Sequence, residues 1–343
     1  MRDKALRWRW ELFLAVVLAA VFCVNVSISE FYLGEQNFIN MFQLSIEKVI
    51  VVVIMTFVII NGEIDLSVAS VMAFSACVLA ALHEAASVPF ELAVVIALAA
   101  GALAGALQGA FVAFMGLPSL VVTLAGLIGF RGAGRILVED RSIGDFPAWF
   151  DTLGQEPLVG RISFAVVFFV VELVLAGIIL HRTAFGRAVF VIGNNANVAR
   201  YSGVNVARDK MILMTASGLF AGLAGVLFAS RLGSVRGDLA LGFELDIITM
   251  VLLGGVSIFG GSGTIVGVAL AILIVLNIRN GLGLANIDQN TQTGVIGALL
   301  ILSVLVPNLV ARVAGSWRSE GGDTPRHQPD PHPTQTLTQE ERT

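Results

Sequence analysis

Apolar runs about as long as a bilayer is thick recur along almost the whole chain. Nothing else in the sequence constrains the fold as strongly. A helix needs about 20 consecutive apolar residues to cross the hydrocarbon core. In lipid the backbone must satisfy its own hydrogen bonds, which leaves only helices or a closed barrel. Barrel strands alternate apolar and polar residues, and runs such as VIVVVIMTFVII (49–60) do not. Composition agrees: 56% of the 343 residues are hydrophobic and 13% charged, where a soluble domain carries roughly twice that charge. The expected fold class is all-α, a polytopic membrane protein.

Hydrophobic blocks and their polar breaks place about ten spans, at 11–28, 44–61, 66–83, 91–114, 118–138, 162–180, 210–230, 244–260, 264–280 and 293–311. The breaks carry turn chemistry, as in MGLPS (115–119) and GGSGT (260–264). This divides the chain into an N-terminal segment 1–10, a transmembrane domain 11–311 and a tail 312–343. The N-terminus resembles a signal peptide, but no clean small-residue cleavage site follows, so it reads as an uncleaved first span. The tail is rich in Pro, Gln, Thr and charge and is expected to be disordered. His327 and His332 lie in it, and no metal site is expected from them.

Orientation follows from the positive charges. With both termini cytoplasmic, 13 of the 21 Lys and Arg fall inside, concentrated at Arg2–Arg9 and at 182–210. The other eight are Lys48, Arg131, Arg135, Arg141, Arg161, Arg231, Arg236 and Arg279.

Several chemistries are missing. The three lysines, Lys4, Lys48 and Lys210, stand in no Gly-x4-Gly-Lys-Ser/Thr loop, so no nucleotide cradle is encoded. No Cys/His cluster has metal spacing and no catalytic constellation is visible, so neither a metal nor a catalytic residue is expected in this chain. Cys23 and Cys77 lie in apolar runs and read as packing residues. Glu172, inside FFVVELVLAG, is either a proton site or a structural group.

Two features recur. Gly101, Gly105 and Gly109 in GALAGALQG, and Gly218 and Gly222 in GLFAGLAG, sit four apart and line helix faces that let another backbone approach. The acid pairs Glu63/Asp65 and Glu244/Asp246 also match, but the two features occur in opposite order in the two halves, which argues against a simple duplication. Asp65 and Ser67 are placed to cap the third span; a part in a transport path or its gate is the alternative for all four acids.

The longest polar excursion between spans is 181–209, 29 residues on the cytoplasmic side. It is too short for a catalytic domain and long enough for a short helix or two at the membrane surface. In NANVARYSG, Asn194 or Asn195 is a capping residue and Gly203 a stop.

Three stretches carry a resemblance: NGEIDLSVASVMA (61–73), HRTAFGRAVFVIGNNANVARYSGVNVARDKM (181–211) and ASRLGSVRGDLALGFELDIITMVLLGGVSIFGGSGTIVG (229–267). They are similar to the permease subunits of bacterial ABC importers for monosaccharides, the ribose-type branched family, over about 10–310. Glu63 and the Ser-Val-Arg-Gly-Asp run at 234–238 look closest to rhamnose permeases, and autoinducer-2 permeases are also similar. The resemblance implies a permease subunit in the bacterial inner membrane that is not itself an enzyme and passes a sugar, rhamnose first, by alternating access. Its partners would be a second permease subunit, two cytoplasmic ATPases holding ATP and Mg, and a periplasmic binding protein. Loop 181–209 would supply the coupling helix, about 193–203, with Gly193, Asn194, Asn195, Arg200, Tyr201 and Gly203 at the ATPase. Outer loops 139–161 and 231–243, with Arg141, Asp145, Arg236 and Asp238, would meet the binding protein. A stand-alone secondary transporter and a membrane-integral enzyme are the rival readings.

Overall fold

The computed structural model describes residues 2–85, 88–155, 157–159 and 162–319, with side chains for 10–85, 88–154 and 166–305. Fourteen helices form, in chain order α1 (Arg2–Ile28), α2 (Glu35–Gln43), α3 (Ile46–Ile60), α4 (Val68–Glu84), α5 (Phe90–Ala113), α6 (Ser119–Val138), α7 (Ala148–Gln155), α8 (Phe164–Arg182), α9 (Ala184–Asn194), α10 (Ala196–Tyr201), α11 (Val206–Leu232), α12 (Phe243–Leu253), α13 (Ile265–Leu284) and α14 (Gln289–Ser319). Among the described residues the strands form two small antiparallel pairs, β1 (Ile143–Gly144) with β4 (Ser234–Val235), and β2 (Pro157–Val159) with β3 (Ile162–Ser163).

Each of the ten expected spans falls on a helix, but the helices are unequal. Among the described residues five are long and apolar enough to cross a membrane, and seven if two bent pairs are each one span. The bends lie between α2 and α3 (55°) and between α8 and α9 (70°). Segment 244–260 illustrates the difference. Its helix α12 has 11 residues, a rise of about 16 Å, and the remainder is a glycine-rich break.

Helix α3 is the centre of the bundle. Its 15 residues, IEKVIVVVIMTFVII, are all buried, charged Glu47 and Lys48 included. It packs against α8, α9, α11, α12 and α13. β-branched residues are mediocre helix formers in water. A segment walled in by other helices has no other way to pair its N–H and C=O groups.

Two interfaces fix the directions. At one end Trp10 Nε1 donates to the Leu253 carbonyl (3.3 Å) and Thr264 Oγ1 to Glu11 (2.8 Å), so the start of α1 meets the break between α12 and α13. At the other end Asn25 Nδ2 donates to the Asn277 carbonyl (2.8 Å) and Asn37 Nδ2 to Asn280 Oδ1 (3.0 Å). Helices α3 and α12 therefore run parallel, each followed by a break and a returning helix. Residues 1–304 form one compact unit and 305–343 a second. The α14 helix continues to Ser319, and the rest of the tail, 320–343 with its histidines, lies outside the described residues.

Candidate functional site

Segment 181–209 folds as the end of α8, a sharp bend, α9, α10 and the first turn of α11. Three side-chain caps define its corners. Thr183 Oγ1 accepts from Gly186 N (3.1 Å), Asn195 Oδ1 from Asn197 N and Val198 N (2.9 and 3.1 Å), and Asn205 Oδ1 from Arg208 N (3.0 Å). These satisfy N–H groups that a helix start leaves free. Gly203 follows α10 at φ +83°, the left-handed region where glycine ends a helix without strain.

Helix α10 is a six-residue knob. Ala199 points inward onto Ile192 and Val206. Tyr201 is 94% exposed, and Val198 and Arg200 face out beside it. Of the two candidate caps, Asn195 does the capping. Asn194 belongs to α9, and its Nδ2 donates to the Gly261 carbonyl (3.2 Å).

That contact belongs to a three-way junction. Gly261 N donates to the Ile60 carbonyl (2.8 Å), joining the break after α12 to the end of α3. Gly193 fills the remaining corner: a Cβ there would collide with the Ile60 carbonyl oxygen and lie 2.6 Å from Gly261 N. Only a residue without a side chain lets α9 close on both breaks at once. Gly193 and Asn194 thus join α9, which precedes α10, to the ends of α3 and α12.

The four acids separate into two sites. Glu63 pairs with Lys210 of α11. Asp65 is buried and accepts from Ser67 N (2.9 Å), Ser67 Oγ (2.6 Å) and Ser217 Oγ (2.7 Å). The expected capping of the third span is indirect, because Asp65 bonds Ser67, itself the N-cap of α4. Glu244 and Asp246 lie at the opposite end of the bundle, in the first turn of α12. The matched acids are therefore not equivalents. The counterpart in position of the Glu63/Asp65 break is the glycine break after α12, which touches it.

At that far end the acids hold cations. Asp246 binds Lys48 (2.8 Å) and Arg279 (2.6 Å), and Glu47 binds Arg231 (2.6 Å). Lys48 also lies over the Phe243 ring, 4.1 Å from its centroid. The sequence marks Lys48, Arg231 and Arg279 only as outer-side cations and does not single out Glu47. The one available signal was two adjacent charges at the head of an otherwise apolar run. Outer loops 139–161 and 231–243 are brought together by the β1–β4 pairing, Ile143 opposite Val235. Arg141 reaches Glu84 (3.1 Å), the Asp145 carbonyl meets His83 (3.1 Å), and Arg236 pairs with Asp238 (3.4 Å).

The spaced glycines meet each other. A Cβ on Gly101 would lie 2.6 Å from the Gly218 carbonyl oxygen and 2.9 Å from Gly222 Cα, and one on Gly105 2.9 Å from Gly218 Cα. Gly109 faces Met211 and Met214. Helices α5 and α11 thus pack backbone on backbone. Glu172 is buried in α8, and neither carboxylate oxygen has a hydrogen-bond partner among the described residues. No group of three His, Cys, Asp or Glu there could hold a metal ion.

A buried, polytopic helical bundle with broken central helices and a small projecting helix defines a membrane permease. Residues 37–304 match the family described as "Branched-chain amino acid transport system / permease component", and the chain belongs to that family. It is similar to the autoinducer 2 import system permease protein LsrD of Yersinia enterocolitica, 35% identical with 87% of this chain and 92% of that one covered. The proteins of the same name from Photorhabdus luminescens (32%; 87% and 91% covered) and Yersinia pseudotuberculosis (34%; 87% and 91% covered) are similar too. No solved structure matches it. The chain is a permease component of an ABC importer, a multi-pass protein of the bacterial inner membrane. The expectation of rhamnose as cargo has no support in these relatives, all of which are autoinducer 2 permeases.

Proposed function

We propose that this chain forms the membrane pathway of an autoinducer 2 importer, with α10 as the helix that receives the ATPase. One observation carries the coupling role: an exposed knob, Val198, Arg200 and Tyr201, is wedged through Gly193 against the breaks of both α3 and α12. In this reading a second permease subunit completes the pathway and two cytoplasmic ATPases bind ATP and Mg. A periplasmic binding protein docks on the paired outer loops at Arg141, Asp145, Arg236 and Asp238. ATPase closure pushes α10, and the junction passes the displacement to the two parallel helices. These are tied at the far end through Lys48 and Asp246, so they move together and shift access from one side to the other. The likeness to the LsrD proteins over nine-tenths of their length supports autoinducer 2 as cargo.

Two measurements test this. A cysteine at Arg200 in native membranes should crosslink to an ATP-binding cassette protein; labelling of that cysteine from the periplasmic face would overturn the topology and the coupling role together. Cells should lose uptake of autoinducer 2, and not of rhamnose or ribose, when this chain is deleted. Loss of rhamnose uptake instead would return the cargo to a deoxysugar and leave the coupling role standing.

A further inference from the structure

A groove lies on the flank of the bundle, between α6, the 231–243 loop and the start of α12. It has a volume of about 330 Å³ and is lined by Leu127, Ile128, Arg131, Arg135, Leu241 and Glu244. Its position is unusual for a surface that meets lipid. Arg131 stands seven residues before the end of α6, about 10 Å down the helix, and ionisable side chains at that depth face water or a polar partner rather than hydrocarbon.

The polar groups here are only partly used. Arg131 Nη1 donates to the Leu239 carbonyl, and a guanidinium has five N–H donors in all. Glu244 Oε2 is buried and has no hydrogen-bond partner among the described residues. Across from them Leu127, Ile128 and Leu241 supply an apolar wall. Nearby, Asp246 meets Lys48 and Arg279, and Glu47 meets Arg231. Glu244 also lines the groove, beside Arg131, which gives the opening one acceptor group and one donor group.

We infer that this groove is a binding site for a small, uncharged, polyhydroxylated molecule, held by Arg131 and Glu244 as the cargo passes the outer half of the permease. The chemistry selects that class. Glu244 accepts from a hydroxyl and Arg131 donates to a neighbouring one, which a molecule with adjacent hydroxyls satisfies in one pose. An anion meets the Glu244 carboxylate, and a cation meets Arg131 and Arg135. The apolar wall accommodates the C–H face of a compact ring or chain. This site rests on the transport reading above, but it concerns where in the chain recognition occurs.

The test uses the whole importer in membrane vesicles, with Cys23→Ser and Cys77→Ala as background and Ile128→Cys on the groove wall. A charged maleimide alkylates this cysteine only if the groove holds water. Alkylation is expected, slowed about fivefold or more by 10 mM autoinducer 2 and not by the same concentration of a sugar phosphate. The protection should be lost with Glu244→Gln, while alkylation of the cysteine persists and shows that variant to be folded. No alkylation would mean lipid fills the groove, and oxidative crosslinking of Ile128→Cys to a second copy would mean that copy does; either overturns the site. Unprotected alkylation in vesicles whose wild-type importer takes up autoinducer 2 also overturns it, and leaves the transport reading intact. Protection in vesicles that show no uptake keeps the site and refutes the cargo reading.

Discussion

Replacing Gly193 by alanine tests the junction on which coupling depends. The added methyl would collide with the Ile60 carbonyl oxygen and lie 2.6 Å from Gly261 N, both backbone atoms that are hydrogen-bonded to each other at 2.8 Å. Neither can swing aside like a side chain, so α9 must lift off both breaks. Overpacking of this kind costs about 1–3 kcal/mol, and loss of the bridging hydrogen bond adds about 1 kcal/mol. Alanine recovers up to about 1 kcal/mol of helix propensity, because Gly193 lies within α9. The net is roughly 1–3 kcal/mol of destabilisation. Gly129→Ala in α6 is the control: no atom lies within 4 Å of its Cβ position, so only the propensity gain applies. Thermal unfolding of the purified full chain should show Gly193→Ala lowered by about 1.5–4 °C, and Gly129→Ala unchanged or raised. ATP-driven uptake should fall in Gly193→Ala beyond what its Tm explains, with the ATPase still bound. Equal Tm and uptake in the two variants would refute the claim that α9 transmits through a backbone-to-backbone contact.

Three further outcomes follow from the packing. Asp246→Asn leaves Lys48 and Arg279 buried side by side without their shared carboxylate, and should destabilise by about 3–5 kcal/mol; adding Lys48→Met should recover part of that in the same unfolding assay. Gly105→Val adds bulk where a Cβ alone would stand 2.9 Å from Gly218 Cα, so α5 and α11 should fail to seat and the yield of monodisperse protein on size exclusion should collapse. Ser217→Ala removes one of the three hydrogen bonds to buried Asp65, which should lower stability by about 1–3 kcal/mol, measured by thermal unfolding.

Six of the eight cations assigned to the outer side have carboxylate partners in the folded chain. Lys48, Arg231 and Arg279 are neutralised by Glu47 and Asp246, and Arg135, Arg141 and Arg236 by Asp140, Glu84 and Asp238. Arg135–Asp140 and Arg236–Asp238 are local, but the others join residues as far as 198 positions apart, and no local pattern announces those.

Length and apolarity of local segments were enough to establish the class of protein, because a bilayer demands about 20 residues of apolar helix and lipid permits no unpaired backbone. The capping chemistry of Asn195 and Gly203 and the four-residue spacing of Gly101, Gly105 and Gly109 were likewise local, so they could be read directly. Which helix is central could not. In a membrane, the lipid-facing and protein-facing sides of a helix are both apolar, so the run IEKVIVVVIMTFVII carries no periodic mark of its burial on every side. The meeting of Gly193 with Ile60 and Gly261, and the lining of one open flank by Arg131 and Glu244, join segments far apart in the chain. Only the packed chain decides such contacts, since they depend on where each helix ends in space and not on the residues beside it.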